Sequence, residues 1–315
     1  MIIETQNLSK QYQKVVAARL LHKERRQFYA VQDVSLRIKL GERVGMVGLN
    51  GSGKSTLIKM ILGILQPTSG TVRTFGVDPV ASRQKNAMKV GVVFGQRSQL
   101  RWDLPAMDTF KLNQEIYQVA QKDFDERVAQ LATMLDAGDF LLQPVRSLSL
   151  GQRMKAEFIA ALIHDPDLII LDEPTIGLDV LSKNSIVRFL NMLTDKTILF
   201  TSHDLDEVEK VCTRIVILNQ GHLVLDKDSR AVANLDVPAT ITFTSARSRY
   251  RDLQEDWPGL ELLENGNYQL AGVGRGEIKQ ILSKITATVP IDNIEVKSGK
   301  LEYLLAHTQE GSKHQ

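Results

Sequence analysis

The stretch VGMVGLNGSGKSTLIKMILGIL, residues 44–65, decides the fold. A short apolar run leads into GLNGSGKST, which has the spacing G-x-x-x-x-G-K-[ST], and an apolar helical run follows. Glycines at these positions let the backbone wrap around phosphate groups, so that successive N–H groups point inward and the helix N-terminus adds a favourable dipole. The stretch therefore predicts a strand, a phosphate-binding loop and a helix, in that order.

Further strand-like runs, short and rich in Ile and Val, alternate with helix-like segments through most of the first 225 residues. They are VGVVFG (90–95), LIILD (168–172), TILFT (197–201) and RIVIL (214–218). Continuous apolar strands of this kind are buried on both faces, as in a parallel sheet covered by helices. Between residues 97 and 166 helical spacing replaces the strand signal. We therefore predict an α/β core over residues 1–230, with a mostly parallel sheet and an inserted helical subdomain.

The composition changes after about residue 226, and a second, smaller domain is predicted over residues 236–315. Its pattern is strand (240–244), helix (248–255), a hairpin turning at Asn265-Gly266, a helix around Ile278 to Ile285, and strand IDNIEV. The order β-α-β-β-α-β predicts a small α+β module of the ferredoxin-like type. The final residues, GSKHQ, are expected to be disordered.

Composition limits the classes of partner. The 315-residue chain has a formal net charge of +2, with 43% hydrophobic and 24% charged residues, which is typical of a globular protein without a nucleic-acid-binding charge. Its single cysteine, Cys212, lies in a helix-like run and is expected to be a packed thiol, compatible with a reducing compartment. Neither a long apolar span nor a basic-then-apolar leader is evident, so we expect any action on a membrane to pass through another chain.

Several short motifs follow the phosphate-binding loop in a fixed order. They are VVFGQ ending at Gln96, LSLGQ (148–152), LIILDEP (168–174), IGLD ending at Asp179, and TSHDL containing His203. Asp172 closes a core strand, where its carboxylate can reach a magnesium ion, and Glu173 is one residue beyond. In this order the motifs resemble those of ATP-binding-cassette (ABC) transporter ATPases, over roughly residues 1–230. The resemblance implies a P-loop NTPase core.

The resemblance also implies a role for each matching residue. Glu173 acts as general base, with Gln96 and His203 as further catalytic residues, and Mg²⁺ is held by Ser55, Gln96 and Asp172. The nucleotide, ATP, is bound by Tyr12, Gly48, Asn50, Gly51, Ser52, Gly53, Lys54, Ser55 and Thr56. Residues that serve the ATP of a second copy are Ser149, Gly151, Gln152 and Asp179. An active site completed by a partner copy implies a homodimer.

Two segments depart from the family pattern or leave alternatives open. Leu150 stands where the family usually has glycine, which questions the flexibility of that turn, whereas Ser149 and Gly151 remain. The aromatic that stacks on adenine is Tyr12, or else Phe28 or Tyr29. The intervening insertion, residues 15–27, is expected to be either an amphipathic helix at a membrane surface or a solvated surface helix.

The expected function is the ATPase subunit of a transporter, bound to separate integral membrane permease subunits at the cytoplasmic face. The segments GVVFGQRSQLRWDLP, LDEPTIGLD and KLEYLLAHT resemble bacterial drug- and polysaccharide-exporter ATPases. An importer ATPase is the first alternative. A soluble ABC ATPase of translation or repair is the second, although one phosphate loop and the absence of sustained heptads argue against it. The C-terminal domain would either support the dimer or regulate turnover.

Overall fold

The computed structural model describes residues 1–19, 22–245, 254, 257–263, 266–301 and 303–305. The chain divides into two compact units, Met1–Val232 and Ala233–Gln315. This division falls between the limits of 230 and 236 that the composition suggested. In the described residues, the first unit has two sheets and the second unit has one.

The described part of the first unit contains ten strands and the helices between them. The strands are β1 (Ile3–Arg19), β2 (His22–Val34), β3 (Arg37–Ile38), β4 (Arg43–Val47), β5 (Ser69–Thr74), β6 (Val90–Phe94), β7 (Leu168–Asp172), β8 (Thr197–Ser202), β9 (Arg214–Asn219) and β10 (His222–Asp228). The helices are α1 (Lys54–Ile61), α2 (Arg83–Ala87), α3 (Ala106–Tyr117), α4 (Gln121–Met134), α5 (Leu150–Leu162), α6 (Val180–Met192), α7 (Leu205–Val211) and α8 (Ser229–Ala233), the last of which ends at the boundary of the unit.

The central sheet has the strand order β10-β9-β4-β8-β7-β6. All neighbours are parallel except β10, which pairs antiparallel with β9 at one edge. All residues of β8 and the first four of β7 are buried, as expected for strands covered on both faces. Helices α3, α4 and α5 fill the sequence between β6 and β7, so the predicted α/β core with a helical insertion is confirmed. Parallel pairing brings the carboxyl ends of β6, β7 and β8 to one edge of the sheet.

The prediction of a helix in the insertion at residues 15–27 is wrong. Strands β1 and β2 pair antiparallel from Leu8↔Val34 to Arg19↔His22, forming a long hairpin. Strand β1 also pairs with β3 and β5, so this hairpin grows out of a second sheet. Each strand of the hairpin provides hydrogen-bond partners for the backbone N–H and C=O groups of the other, so the segment satisfies these groups without forming a helix. Leu20 and Leu21, which lie between the two strands in the sequence, are outside the described residues.

The second unit contains a four-stranded antiparallel sheet. Its elements are β11 (Ala239–Thr244), β12 (Leu260–Leu262), β13 (Tyr268–Val273), α9 (Ile278–Thr288) and β14 (Asn293–Ser298). The sheet order β12-β13-β11-β14 is that of a ferredoxin-like module. Ile285 of α9 packs in a buried apolar cluster with Phe243 and Tyr268, whose rings stack at 5.2 Å. Of the predicted helix at 248–255, only residue 254 is described; Asn265 and the last ten residues also lie outside the described residues.

Two further sequence expectations concern the thiol and the membrane. Cys212 is buried, and burial raises the pKa of its thiol to about 12, which makes it a packing group rather than a nucleophile. Within the described ranges, no helix has the length and apolar character needed to span a bilayer.

Candidate active site

The phosphate-binding loop connects β4 to α1 and is shaped by its glycines. Gly51 and Gly53 have φ values of 80° and 108°, in the left-handed region that favours glycine. A Cβ atom on Gly53 would lie 2.3 Å from the carbonyl oxygen of Ala30, so a larger residue would also clash there. The first turn of α1 carries no acidic residue, which leaves the positive end of the helix dipole available to an anion.

Lys54 is the first residue of α1 and is almost completely buried. Its Nζ donates hydrogen bonds to the carbonyl oxygens of Gly48 at 2.7 Å and Leu49 at 3.3 Å. The same Nζ lies 3.3 Å from Oε1 of Glu173. Next to it, the buried Ser52 Oγ has no hydrogen-bond partner among the described residues. A buried cation and an unpartnered hydroxyl at a helix N-terminus fit a bound phosphate chain.

The carboxylate of Asp172 accepts hydrogen bonds from two hydroxyl groups on neighbouring elements. Ser55 Oγ donates to its Oδ1 at 3.3 Å, and Thr201 Oγ1 donates to the same oxygen at 2.9 Å. Strand pairing places Asp172 of β7 beside Thr201 of β8, so this contact follows from the sheet register. Hydroxyl and carboxylate oxygens are ligands that Mg²⁺ prefers, so Ser55 and Asp172 fit a magnesium ion held together with phosphate.

Glu173 is held in an uncommon backbone conformation at the end of β7. Its φ is +52°, and its N–H points at both the carbonyl oxygen and the Oγ1 of Thr201, each at 3.1 Å. Gly95 approaches from β6: its N–H donates to the Asp172 carbonyl at 2.8 Å, and a Cβ there would lie 1.9 Å from the Glu173 carbonyl oxygen. Thr201 and Gly95 thus fix the general-base candidate, although sequence analysis assigned neither a role.

These groups face one cavity of about 660 Å³. Its lining includes most of the residues predicted to bind nucleotide and metal, namely Tyr12, Asn50, Gly51, Ser52, Gly53, Lys54, Ser55, Thr56, Gln96, Asp172 and Glu173. Of the three aromatic candidates for adenine, Tyr12 and Phe28 line the cavity and stack on each other at 5.8 Å, whereas Tyr29 does not line it. His203 is exposed and is outside this lining, as is Gly48, which contacts Lys54.

The predicted in-trans residues form a second group, at the adjacent N-termini of α5 and α6. Ser149 caps α5 by accepting from the Gln152 N–H at 3.2 Å, while the Gln152 side chain accepts from the Ser149 N–H at 2.9 Å. Asp179 caps α6 by accepting from the N–H and Oγ of Ser182 at 2.9 and 2.7 Å, which lowers the pKa of Asp179. None of the four predicted in-trans residues, Ser149, Gly151, Gln152 and Asp179, lines the cavity described above.

The two glycine positions of LSLGQ have different roles. Gly151 is buried, and a Cβ on it would lie 2.3 Å from Ser182 Oγ, so its close approach is to α6 of the same chain. Leu150 is 37% exposed and lies against the glycine of the IGLD segment, Gly177, with Leu150 Cδ2 3.4 Å from where a Cβ would stand. The unusual leucine therefore contacts the segment that precedes Asp179, and it does not displace the cap of α5.

Glu207 connects the segment after His203 to the segment before Asp179. It accepts hydrogen bonds from Thr175 Oγ1 at 2.5 Å, Lys183 Nζ at 2.6 Å and Ser202 Oγ at 3.2 Å. Burial alone would raise the pKa of Glu207, but the bonds from Lys183 and Thr175 outweigh it and lower the pKa. A charged carboxylate on α7 therefore binds both the segment before Asp179 and helix α6.

The chain is similar in sequence to proteins of known family. Residues 31–176 match the sequence model of the family described as ABC transporter. The chain is similar to the ABC transporter ATP-binding protein NatA of Bacillus subtilis (strain 168), with 36% identity over 197 residues, 62% of this chain and 80% of that protein.

The names of two other relatives indicate opposite directions of transport. The Nod factor export ATP-binding protein I of Cupriavidus metallidurans is 34% identical over 62% of this chain and 65% of its own length. The methionine import ATP-binding protein MetN of Latilactobacillus sakei is 28% identical over 73% of this chain and 66% of its own length.

A solved structure agrees with the fold. It is the dimeric, post-hydrolysis state of the ATP-binding cassette MJ0796 bound to ADP and Pi, which has a TM-score of 0.63, 26% identity and coverage of 72% of this chain and 99% of its own. The cavity lined by a phosphate loop, a metal carboxylate and a general-base candidate agrees with a cassette that binds ADP and Pi. Together with the extent of the match to NatA, this places the chain in the family of ABC transporter ATP-binding proteins, ATPases that couple hydrolysis to transport.

Proposed function

We propose that this chain is the ATP-hydrolysing subunit of a membrane exporter, and that two copies close head-to-tail around two ATP molecules. The observation that carries the proposal is the separation of the two residue groups. Lys54, Asp172 and Glu173 line one cavity, whereas Ser149 and Asp179 cap helices outside its lining. A second copy would bring its capped α5 to the open side of that cavity.

In the proposed reaction, Lys54 and the N–H groups of the phosphate loop bind the β- and γ-phosphates of ATP. Ser55, Gln96 and Asp172 would hold Mg²⁺, which would neutralise phosphate charge when bound. Glu173 accepts the proton of the attacking water, a contribution that is typically worth about 10²- to 10⁴-fold in rate. His203, which is exposed at the end of β8, contacts the γ-phosphate once the two copies close.

The contribution of the partner copy is electrostatic. Ser149 offers a hydroxyl at the N-terminus of α5, where the helix dipole and free N–H groups favour an anion such as the γ-phosphate. Asp179 touches the opposite subunit from the start of α6. The dimeric cassette of similar structure supports this arrangement.

A permease subunit is proposed to dock where the helical subdomain exposes apolar side chains. Trp102 is 55% exposed, Leu104 40% and Leu142 74%. They lie on two segments joined by backbone bonds from the N–H groups of Arg146 and Val145 to the carbonyls of Trp102 and Leu104. An exposed apolar patch of this kind is typical of a protein interface. The chain would then act at the cytoplasmic face of the membrane, through its partner.

Export is proposed over import because of the exporter-like segments and the similarity to the Nod factor export protein. Import is the second candidate, favoured by the similarity to MetN. Deleting the gene distinguishes export from import. Without an exporter, a toxic compound accumulates inside the cells and the cells become sensitive to it. Without an importer, the cells no longer take up a nutrient. Uptake defects without any gain of sensitivity would contradict the proposal.

The dimer is tested with Glu173→Gln. This variant keeps the shape of the site but cannot accept the proton, so we expect turnover to be lost and an ATP-bound dimer to accumulate in light scattering. Lys54→Ala is the matched control, because it weakens phosphate binding and should stay monomeric. A Glu173→Gln protein that remains monomeric with saturating MgATP, with permease subunits also present, would refute the sandwich.

A further inference from the structure

We propose that Glu157, in the middle of α5, is a positioning residue that links the loop of Gln96 to the helix that Ser149 caps. The proposal rests on the proposed function, in which Gln96 serves the chain's own ATP and Ser149 serves the ATP of the partner. Glu157 would make these two elements move as one body when nucleotide binds or is hydrolysed.

The contacts of Glu157 join α5 to a single segment. Its side chain is only 3% exposed. Oε1 accepts from Ser98 Oγ at 2.5 Å, and the Gln99 N–H points at Oε1 and Oε2 at 3.2 and 3.3 Å. The Gln99 side chain returns a bond to the Glu157 carbonyl at 3.4 Å. The carboxylate therefore binds the loop through its backbone as well as through a side chain.

The surroundings of Glu157 favour an apolar residue at this position. Its neighbours on the helix, Ala156, Phe158 and Ile159, are all buried. Burial raises the pKa of Glu157, and no cation among the described residues is paired with it. A buried carboxylate without a cation is costly unless its hydrogen bonds are specific. Here those bonds go to residues 98 and 99, so they fix the loop rather than the helix.

The position of the loop gives this link its functional meaning. Gln96, two residues before Ser98, lines the nucleotide cavity and lies two residues after the end of β6. Ser149 is about two helical turns from Glu157, roughly 12 Å along the axis. An α-helix transmits displacement along its axis, so movement of Gln96 by nucleotide is carried to the cap that faces the partner.

The experiment compares Glu157→Gln and Ser98→Ala in full-length protein. The first keeps the shape of the side chain but replaces an acceptor oxygen by a donor, and the second removes the loop hydroxyl without opening the core. Each is expected to lower kcat about tenfold while ATP binding by the monomer stays within about twofold. The double variant should be no slower than the slower single variant. Lys155→Ala, on the same helix but bonded to the Asp136 carbonyl, is the control and should leave kcat unchanged.

A second readout is ATP-driven dimerisation in the Glu173→Gln background. Adding Ser98→Ala or Glu157→Gln should raise the ATP concentration needed for half-dimerisation about tenfold. Normal kcat in folded Ser98→Ala and Glu157→Gln proteins, additive losses in the double variant, or equal losses in kcat and ATP binding would each overturn the link. If Glu173→Gln alone does not dimerise, the proposed function has failed; if it dimerises and the added changes have no effect, only the link has failed.

Discussion

Replacing Gly95 by alanine should disable hydrolysis while sparing nucleotide binding. The added Cβ would lie 1.9 Å from the Glu173 carbonyl oxygen and 2.7 Å from its carbonyl carbon. Ordinary carbon–oxygen contact begins near 3.4 Å, so the Glu173 peptide must move by roughly 1.5 Å. A misplacement of about 1 Å in a catalytic group can lower the rate about 10²-fold. The phosphate loop is on a different element, so ATP affinity should change by less than about threefold.

The assay is phosphate release with saturating MgATP, together with binding of a fluorescent ATP analogue. The Gly95→Ala protein should also lose about 1–3 kcal/mol of stability from overpacking, which a urea titration measures. Gly138→Ala is the matched control, because a Cβ at Gly138 meets no atom within 4 Å. A folded Gly95→Ala protein with kcat within about threefold of the parent would show that Gly95 does not set the position of Glu173.

Three further predictions concern the partner copy, the pH dependence of folding and the second unit. Ser149→Arg should abolish hydrolysis and leave ATP binding to monomers unchanged. Mixing the Ser149→Arg and Lys54→Ala proteins should restore one intact site per heterodimer. Normal turnover by Ser149→Arg alone would show that LSLGQ is not part of the active site. His164 donates through Nε2 to the Val90 carbonyl. Burial is the main cause that lowers the pKa of His164 from 6.5 to about 4; Arg127 and Lys196 act in the same direction, and the bond to Val90 and the charge of Asp165 oppose it. The unfolded chain therefore takes up the proton first, and stability should fall by up to about 3 kcal/mol as pH drops from about 6.5 to 4; a His164→Gln protein with an equally steep loss in urea titrations would refute this. Deleting residues 236–315 should leave ATP binding intact. Loss of ATP binding in a folded truncation would mean that the domain boundary is misplaced. Weaker dimerisation would indicate that the module supports the dimer, whereas altered basal turnover at a fixed dimer fraction would indicate regulation.

Much of the core could be predicted from the sequence because its strands are short, apolar and β-branched. LIILD and TILFT are strands β7 and β8 almost to the residue, since burial on both faces leaves a continuous pattern. Only the outer part of the β1–β2 hairpin, residues 15–27, was wrongly predicted as a helix, because a short mixed run of Val, Ala and Leu fits either period. The conformation depends on pairing between the two strands, for example Tyr12 with Phe28. This pairing cannot be inferred from the sequence of either strand alone.

The site was predictable where one short motif provides the chemistry. Lys54, Ser55, Asp172 and Glu173 are close together in the structure because strand ends meet at one edge of the sheet. Gly95, Thr201 and Glu157 were missed because their roles are contacts between distant elements. The glycine of VVFGQ and the second threonine of TILFT were visible in the sequence, yet only the register of β6, β7 and β8 gives them a role.

The backbone conformation at Glu173 favours one set of residues for folding and a different residue for ATP turnover. A left-handed conformation disfavours glutamate by roughly 1–2 kcal/mol, whereas glycine and asparagine adopt it readily. A library at position 173 selected only for folded abundance should therefore enrich glycine and asparagine, and selection on ATP turnover should return glutamate. Lineages that no longer hydrolyse ATP would be expected to drift first at this position.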